Sequence, residues 1–210
     1  MNELSLIYNR HSVRKFTNDP IPTEHIKEII KAATYAPSGK NVQNWHFVVI
    51  TDKNKIEEIA QIVEKKNAQL AEQLTDENMK KNFTKFVRFS TLFRKAPVLI
   101  LVYAGPYTPT GLDVLQQINA SNEEIHTLLR PNPAIQNIGA AVQNLMLAAT
   151  QMGYGTCWMT SSNYAAKEIE SFVGFEKEGY FLSLLTPLGV PDGELKSPSR
   201  KPIEEIMTII

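Results

Sequence analysis

The sequence predicts an α+β fold, a small sheet flanked by helices, and three observations lead there. Short runs rich in β-branched and aromatic residues (WHFVVIT, VLILVYA, YFLSLLTPLGV) are separated by much longer amphipathic stretches. VLILVYA, residues 98–104, is apolar throughout and belongs at the centre of a sheet. AIQNIGAAVQNLMLAATQMG, residues 134–153, has the length of a helix and no charge, so it must be buried on most sides. In a chain of 210 residues, that burial is easiest if a second subunit covers one side.

Each element has its own warrant. Leu4, Ile7 and Tyr8 recur at helical spacing and predict a short helix over 3–9. Pro20 and Pro22 close the next loop, and Thr23 reads as the cap of a helix reaching about Tyr35, with Ile26, Ile29, Ile30 and Ala33 on one face. APSGKNVQN (36–44) is loop by composition, and WHFVVIT (45–51) is a strand. Helices follow over 54–74 and 76–94, then the strand 98–104. Residues 105–133 are turn-rich, with short helices around 113–119 and 121–129, and read as a lid or insertion. After the charge-free helix come a short strand GTCWMT (155–160), a helix over 163–173, a strand over 180–190 and a basic loop, PDGELKSPSRKP. There is no internal repeat, and the chain reads as one domain over 1–210.

Composition excludes several functions. Lys+Arg and Asp+Glu are equal at 22 each, which argues against a general nucleic-acid binder. The single cysteine, Cys157, excludes an internal disulfide framework and fits a reducing compartment. No signal peptide and no uninterrupted apolar span are evident, so the expected location is the cytoplasm. His11, His25, His46 and His126 lack metal-ligand spacing. Cys157, inside an apolar strand, reads as an inert core residue.

The chemistry-bearing segments are modest one by one. RHSVRKF (10–16) supplies Arg10, His11, Ser12 and Arg14 in five residues. In an extended chain Arg10, Ser12 and Arg14 share one side and His11 and Lys15 the other, so three donors can converge on one anion. Taken alone, the segment reads equally well as a solvated basic loop. APSGKNVQNW offers Asn41, Gln43 and Asn44, whose carboxamides match a heterocycle with alternating donors and acceptors, though such loops also end helices. SPSRKP places Arg200 beside Lys201; in isolation it is a surface loop.

Together, RHS-x-R-x-F, then A-P-S-G-x-N-x-Q-x-W-x-F, then GAAVQNLMLAA with GYGTCW, then PLGVP and a late R-K-P resemble the FMN-dependent nitroreductase family, in order and spacing, from about residue 4 to 206. The likeness is missing mainly over 60–95 and 105–133, and it departs at Asn44, where relatives usually carry proline. The resemblance implies an α+β fold with a small, mainly antiparallel sheet flanked by helices, and an intertwined homodimer with two FMN sites at its interface. Arg10, Ser12 and, by resemblance alone, His11 would meet the phosphate and ribityl end, and Arg14 the pyrimidine edge. Pro37, Ser38, Gly39 and Asn41 would lie over the flavin of the other subunit, with Gln43 close by. Trp158, Met159, Thr160 and Ser161 would pass the dimethylbenzene and N5 region, and Arg200 with Lys201 would close the phosphate site.

The implied activity is hydride transfer from NAD(P)H through flavin N5 to a nitroaromatic, quinone or similar conjugated acceptor, with ping-pong kinetics and no catalytic side chain. The alternatives are enone reduction, reductive dehalogenation or oxidative dehydrogenation on the same fold, a non-catalytic FMN-binding protein, and a phosphate-binding module without flavin. Tyr103, Tyr107, Phe86 and Phe89 are candidates for an aromatic acceptor slot or for plain core.

Overall fold

The computed structural model describes residues 4–210. Its elements are α1 (Ser5–Asn9), α2 (Thr23–Thr34), β1 (Trp45–Ile50), α3 (Lys53–Glu72), α4 (Glu77–Ser90), β2 (Val98–Ala104), α5 (Leu112–Gln117), α6 (Asn122–Leu129), α7 (Pro133–Gln151), β3 (Gly155–Thr156), α8 (Ala166–Val173) and β4 (Phe181–Gly189). Residue 3 of the expected first helix lies outside the described residues. The strands form one antiparallel sheet in the order β1-β2-β4-β3, with helices on both faces, as an α+β chain requires.

β2 explains the layering. All seven of its residues are buried, and successive side chains point to opposite faces. Val98, Ile100 and Val102 join a core with Ile29 and Ala33 of α2 and Ile138, Ala141 and Leu145 of α7. Leu99, Leu101 and Tyr103 join a second core with Ile56, Ile59 and Val63 of α3 and Ile169 of α8. Each fully buried aliphatic side chain contributes roughly 1.5–3 kcal/mol.

Helix starts follow local chemistry. Asp52 accepts from Asn54 N at 2.8 Å to open α3, Asp76 accepts from Met79 N at 2.9 Å to open α4, and Ser121 and Glu124 close a capping box on α6. Thr23 is not the cap of α2 as its side chain suggests. It is the first helical residue, and Pro22 precedes it with extended backbone (φ −57°, ψ 137°) and no side-chain cap. Proline presets the entry angle, and the Pro22 carbonyl accepts from His25 N and Ile26 N.

The expected strand 155–160 is shorter than its composition implies. Only Gly155 and Thr156 pair regularly with β4, and pairing resumes at Met159, whose N–H and carbonyl both bond Leu185. Two residues on, the same alternation would require an N–H from Pro187, which has none.

The segment RHSVRKF lies along the sheet. Ser12 bridges Thr156 in parallel, Val13 N donates to Thr156 O at 2.8 Å, and Thr17 N donates to Val190 O at 2.9 Å. Val13 and Phe16 turn inward with Ala96. Such close approach requires glycine on the other side. A Cβ on Gly155 would fall 2.6 Å from Val13 Cβ, and one on Gly189 would fall 2.7 Å from the Phe16 ring. α7 is buried along one face only within the chain. Gln136, Gln143 and Gln151 are exposed, and Ala140, Leu147 and Ala148 are half-buried. With Tyr35, which is 79% exposed, and Ala32, Leu147 and Ala148 border an open hollow of about 450 Å³.

Two outcomes are expected. Gly155→Ala should lower unfolding stability by about 1–3 kcal/mol, the usual effect of overpacking, in urea titrations; an unchanged midpoint would show that Val13 moves freely. The Tyr103 hydroxyl is buried without a partner, and burial followed by the Glu170 charge pushes its pKa up to about 12. Tyr103→Phe should therefore stabilise the fold by on the order of 1 kcal/mol at neutral pH. Because the folded phenol stays protonated while the unfolded one ionises near pH 10, wild-type stability should fall between about pH 10 and 12, and the variant should lack that loss.

Candidate functional site

Of the three donors of RHSVRKF, Arg10 and Arg14 share one region, while alternation is interrupted where Val13 and Phe16 both turn inward. Arg10 and Ser12 are half-buried, Arg14 is exposed, and Arg14 Nη1 donates to Ser12 O at 3.2 Å. Arg10 and Arg14 also share a neighbour. Burial pushes the Cys157 thiol up, and the Arg14 and Arg10 charges oppose that push, so both guanidiniums act on this buried sulfur. Cys157 is 4% exposed. Burial prevails, and the thiol stays protonated at neutral pH, which leaves it a poor nucleophile.

His11 has a different partner: its Nδ1 lies 2.8 Å from Ser197 Oγ and ties the C-terminal segment to the start of RHSVRKF. Arg200 and Lys201 follow three and four residues later, both exposed.

Two adjoining cavities flank Arg14. One, about 290 Å³, is lined by Ser12, Arg14, Lys15, Asp192 and Lys196 among others. The other, about 470 Å³, is lined by Arg14, Lys15, Arg88, Thr91, Arg94 and Lys95, with Asp192. Arg94 is neutralised there by a forked pair to Glu64 at 2.7 Å and by Glu57 at 2.8 Å, and the Arg94 hydrogen bonds hold the Glu64 carboxyl below its ordinary range. Arg88 lies over the Phe89 ring, 4.7 Å from its centroid. Arg88 and Thr91 fall in the stretch 60–95, to which the sequence alone gives no role. Their only sequence signal is a basic residue in the last turn of α4, which is common at helix ends.

Residues 158–161 are fixed from both sides. Met159 is paired to β4, Ser90 Oγ donates to Ser161 O at 2.9 Å, and Ser162 Oγ donates to Ser90 O at 2.7 Å. Trp158 and Thr160 remain exposed, and the Trp158 ring reaches toward Gly139 of α7.

The loop 37–43 hangs from the opposite end of α7. Gly39 N donates to Asn137 Oδ1 at 3.1 Å, near the start of a 19-residue helix that runs about 28 Å. Ser12 and Val13 bind instead to Thr156, beyond its far end. Ser38 Oγ accepts from Gln43 N, and Gln43 Nε2 donates to Asn41 Oδ1. Lys40, Asn41 and Gln43 all have positive φ, at 57°, 51° and 47°. Pro37 is exposed. The start of the 105–133 stretch lies on this loop, with Lys40 Nζ donating to Thr108 O at 3.0 Å and Tyr107 packed where a Gly39 side chain would project.

The four aromatic candidates separate. Tyr103 is core, its ring 4.6 Å from Phe175. Tyr107 covers Gly39, and Phe86 and Phe89 form an exposed pair 5.6 Å apart on α4. Among the described residues no group of three or more His, Cys, Asp or Glu side chains could hold a metal ion, and no helix is long and apolar enough to cross a membrane.

Comparison with known proteins identifies the fold and the family. A crystal structure of a BluB-like flavoprotein from Clostridium difficile 630 superposes with a TM-score of 0.95 at 46% identity, covering 100% of this chain and 99% of that one. A nitroreductase with bound FMN from Desulfitobacterium hafniense DCB-2 gives a TM-score of 0.69 at 25% identity, over 100% and 99% of the two chains. The iodotyrosine deiodinase of Nematostella vectensis is 28% identical over 206 residues, 95% of this chain and 72% of its own length. The family model described as Nitroreductase family matches residues 7–190, and the chain belongs to that family.

Proposed function

We propose that the chain is an FMN-dependent oxidoreductase working as a homodimer, which takes reducing equivalents from NAD(P)H and delivers them to a nitroaromatic, quinone or other conjugated acceptor. The observation that carries this reading is that Arg10 and Arg14 both lie near buried Cys157, next to the fixed segment 158–161, on a chain similar to a flavoprotein and to a nitroreductase with bound FMN. The donor set suits the cofactor. Guanidinium forks and a hydroxyl match a phosphate and its sugar-like chain, and the loop 37–43 adds carboxamides for a heterocycle. When bound, FMN supplies hydride acceptance and donation at its N5.

The chain's own residues then have distinct tasks. Arg10 and Ser12 hold the phosphate and ribityl end, and Arg200 and Lys201 close it. Arg14, with Arg88 and Thr91 beside it, faces the pyrimidine edge, where positive charge stabilises the negative charge that reduction places on the ring. Trp158 to Ser161 support the ring by backbone. Pro37, Ser38, Gly39, Asn41 and Gln43 cover the flavin of the second subunit, which agrees with their attachment to the far end of α7. No side chain acts as a general acid, and solvent supplies the proton. The half-open face of α7 and the exposed apolar tail residues Ile206, Met207, Ile209 and Ile210 are the surfaces a second copy would cover. The buried thiol of Cys157 fits a reducing cytoplasm.

One second reading has specific support. The similarity to iodotyrosine deiodinase over 95% of this chain favours reductive removal of halide from an aromatic ring.

The purified protein should be yellow and dimeric by light scattering, and NADH or NADPH should bleach it in anaerobic stopped flow. A chain that stays colourless in excess FMN contradicts the reading, and a yellow one that no reduced nicotinamide bleaches is a binding protein instead. Re-oxidation by nitroaromatics, quinones and halotyrosines then separates the two activities. Arg10→Ala should weaken FMN binding by about 1.5–3 kcal/mol, roughly tenfold to a hundredfold or more in Kd. Unchanged affinity would remove Arg10 from the phosphate site.

A further inference from the structure

The loop 37–43 holds three non-glycine residues in the left-handed region, Lys40, Asn41 and Gln43. Such backbone persists only where surrounding contacts over-determine it. The contacts within the loop are exposed ones, Gln43 N to Ser38 Oγ and Gln43 Nε2 to Asn41 Oδ1. The buried ones come from outside it, through two asparagines. Asn44 is 3% exposed and Asn137 is 7% exposed.

Their amides form a relay with one consistent orientation. Asn44 Nδ2 donates to Gly105 O at 3.0 Å and to Ala134 O at 3.3 Å. Its Oδ1 accepts from Asn137 Nδ2 at 2.9 Å. That leaves Asn137 Oδ1 as the acceptor for Gly39 N. Gly105 N also donates to the Asn44 carbonyl at 2.6 Å. Flipping either amide would set donor against donor or acceptor against acceptor, so the orientation is fixed by the network. The relay ties the loop 37–43 to the end of β2 and the start of α7, and a network in which both amide atoms of each asparagine have a partner favours one geometry.

We propose that Asn44 and Asn137 are a positioning pair that sets the shape of the loop 37–43 and, through it, the affinity for flavin. This rests on the reading above that the loop is a flavin wall. Neither side chain touches the cofactor; Asn137 acts through the Gly39 amide and Asn44 acts through Asn137.

The test compares Asn137→Ala with the wild-type chain and with Ile56→Ala, a core variant in the other hydrophobic cluster, at temperatures giving equal distance from each Tm. FMN affinity is read by flavin fluorescence, and hydrogen exchange over residues 37–43 is read in the flavin-free protein. Asn137→Ala is expected to weaken FMN tenfold or more and to speed loop exchange, while Ile56→Ala changes neither. Asn44→Ala combined with Asn137→Ala should be no worse than the worse single variant, because the two act as one unit. Should Asn137→Ala fail to fold, Asn137→Ser carries the test, since its short hydroxyl cannot span both partners. Wild-type exchange and affinity in the asparagine variant would overturn the proposal. Wild-type protein that binds no FMN would overturn the functional reading instead, and the exchange measurement would still decide whether the pair shapes the loop.

Discussion

The burial of β2 on both faces is the constraint from which the rest of the molecule follows. A strand with seven buried residues has no water to satisfy its backbone, so β1 and β4 must pair with it on either side. Its alternating side chains need two cores, and helices must cover both. α7 is the longest element of the first core, and its ends are where the functional segments attach. The chain leaves α7 through Gly153 at φ 82° and enters β3, against which the N-terminal Ser12–Val13 pairs. The loop 37–43, leading into β1, meets the other end at Asn137. The site is therefore built from loops whose positions are dictated by one strand and one helix, neither of which carries much chemistry itself.

Charge is distributed with the same economy. Arg94 is matched by two glutamates and serves to hold the 92–95 turn against α3. Arg10, Arg14 and Arg88 carry no such carboxylate partner among the ion pairs of the described residues. A guanidinium without a carboxylate retains its full capacity for an incoming anion, whereas a forked Arg–Glu pair has already spent its geometry. The distinction separates cations that stabilise the fold from cations available for binding, and net composition conceals it because the two kinds cancel in the sum.

Much of the fold was legible because hydrophobic periodicity is a local signal. The boundaries of β2 match its apolar run, and α7, α5 and α6 fall within a residue or two of their patterns. The failures have equally definite causes. Thr23 looks like a cap, but the preceding proline sets the helix entry without it. GTCWMT looks like a strand, but its partner strand offers Pro187 where a donor is needed. For the site, the expectation that Arg10, Ser12 and Arg14 face one anion rests on alternation in an extended chain, which the structure interrupts, since Val13 and Phe16, three residues apart, both turn inward. Arg88 and Thr91 were beyond reach, since only the return of α4 across α3 brings them to Arg14, and no spacing rule connects residues so far apart.

Asn44 shows how a single departure from the family pattern changes the physics of a loop. Proline at that position would fix φ and remove a donor, shaping the turn through its ring. Asparagine leaves the backbone N–H free and delegates the shaping to a side chain that reaches Gly105, Ala134 and Asn137 at once. Read from the sequence, the departure puts the local turn in doubt, although asparagine tolerates turn geometry. In the fold it is an exchange of one source of rigidity for another, local in the first case and tertiary in the second. A tertiary anchor ties the loop to the end of β2 and to α7 through Gly105, Ala134 and Gly39. The same helix also presents the half-open face that a second copy would cover. Asn137, buried on the inner side of that helix, is the residue that holds Gly39 of the candidate flavin wall.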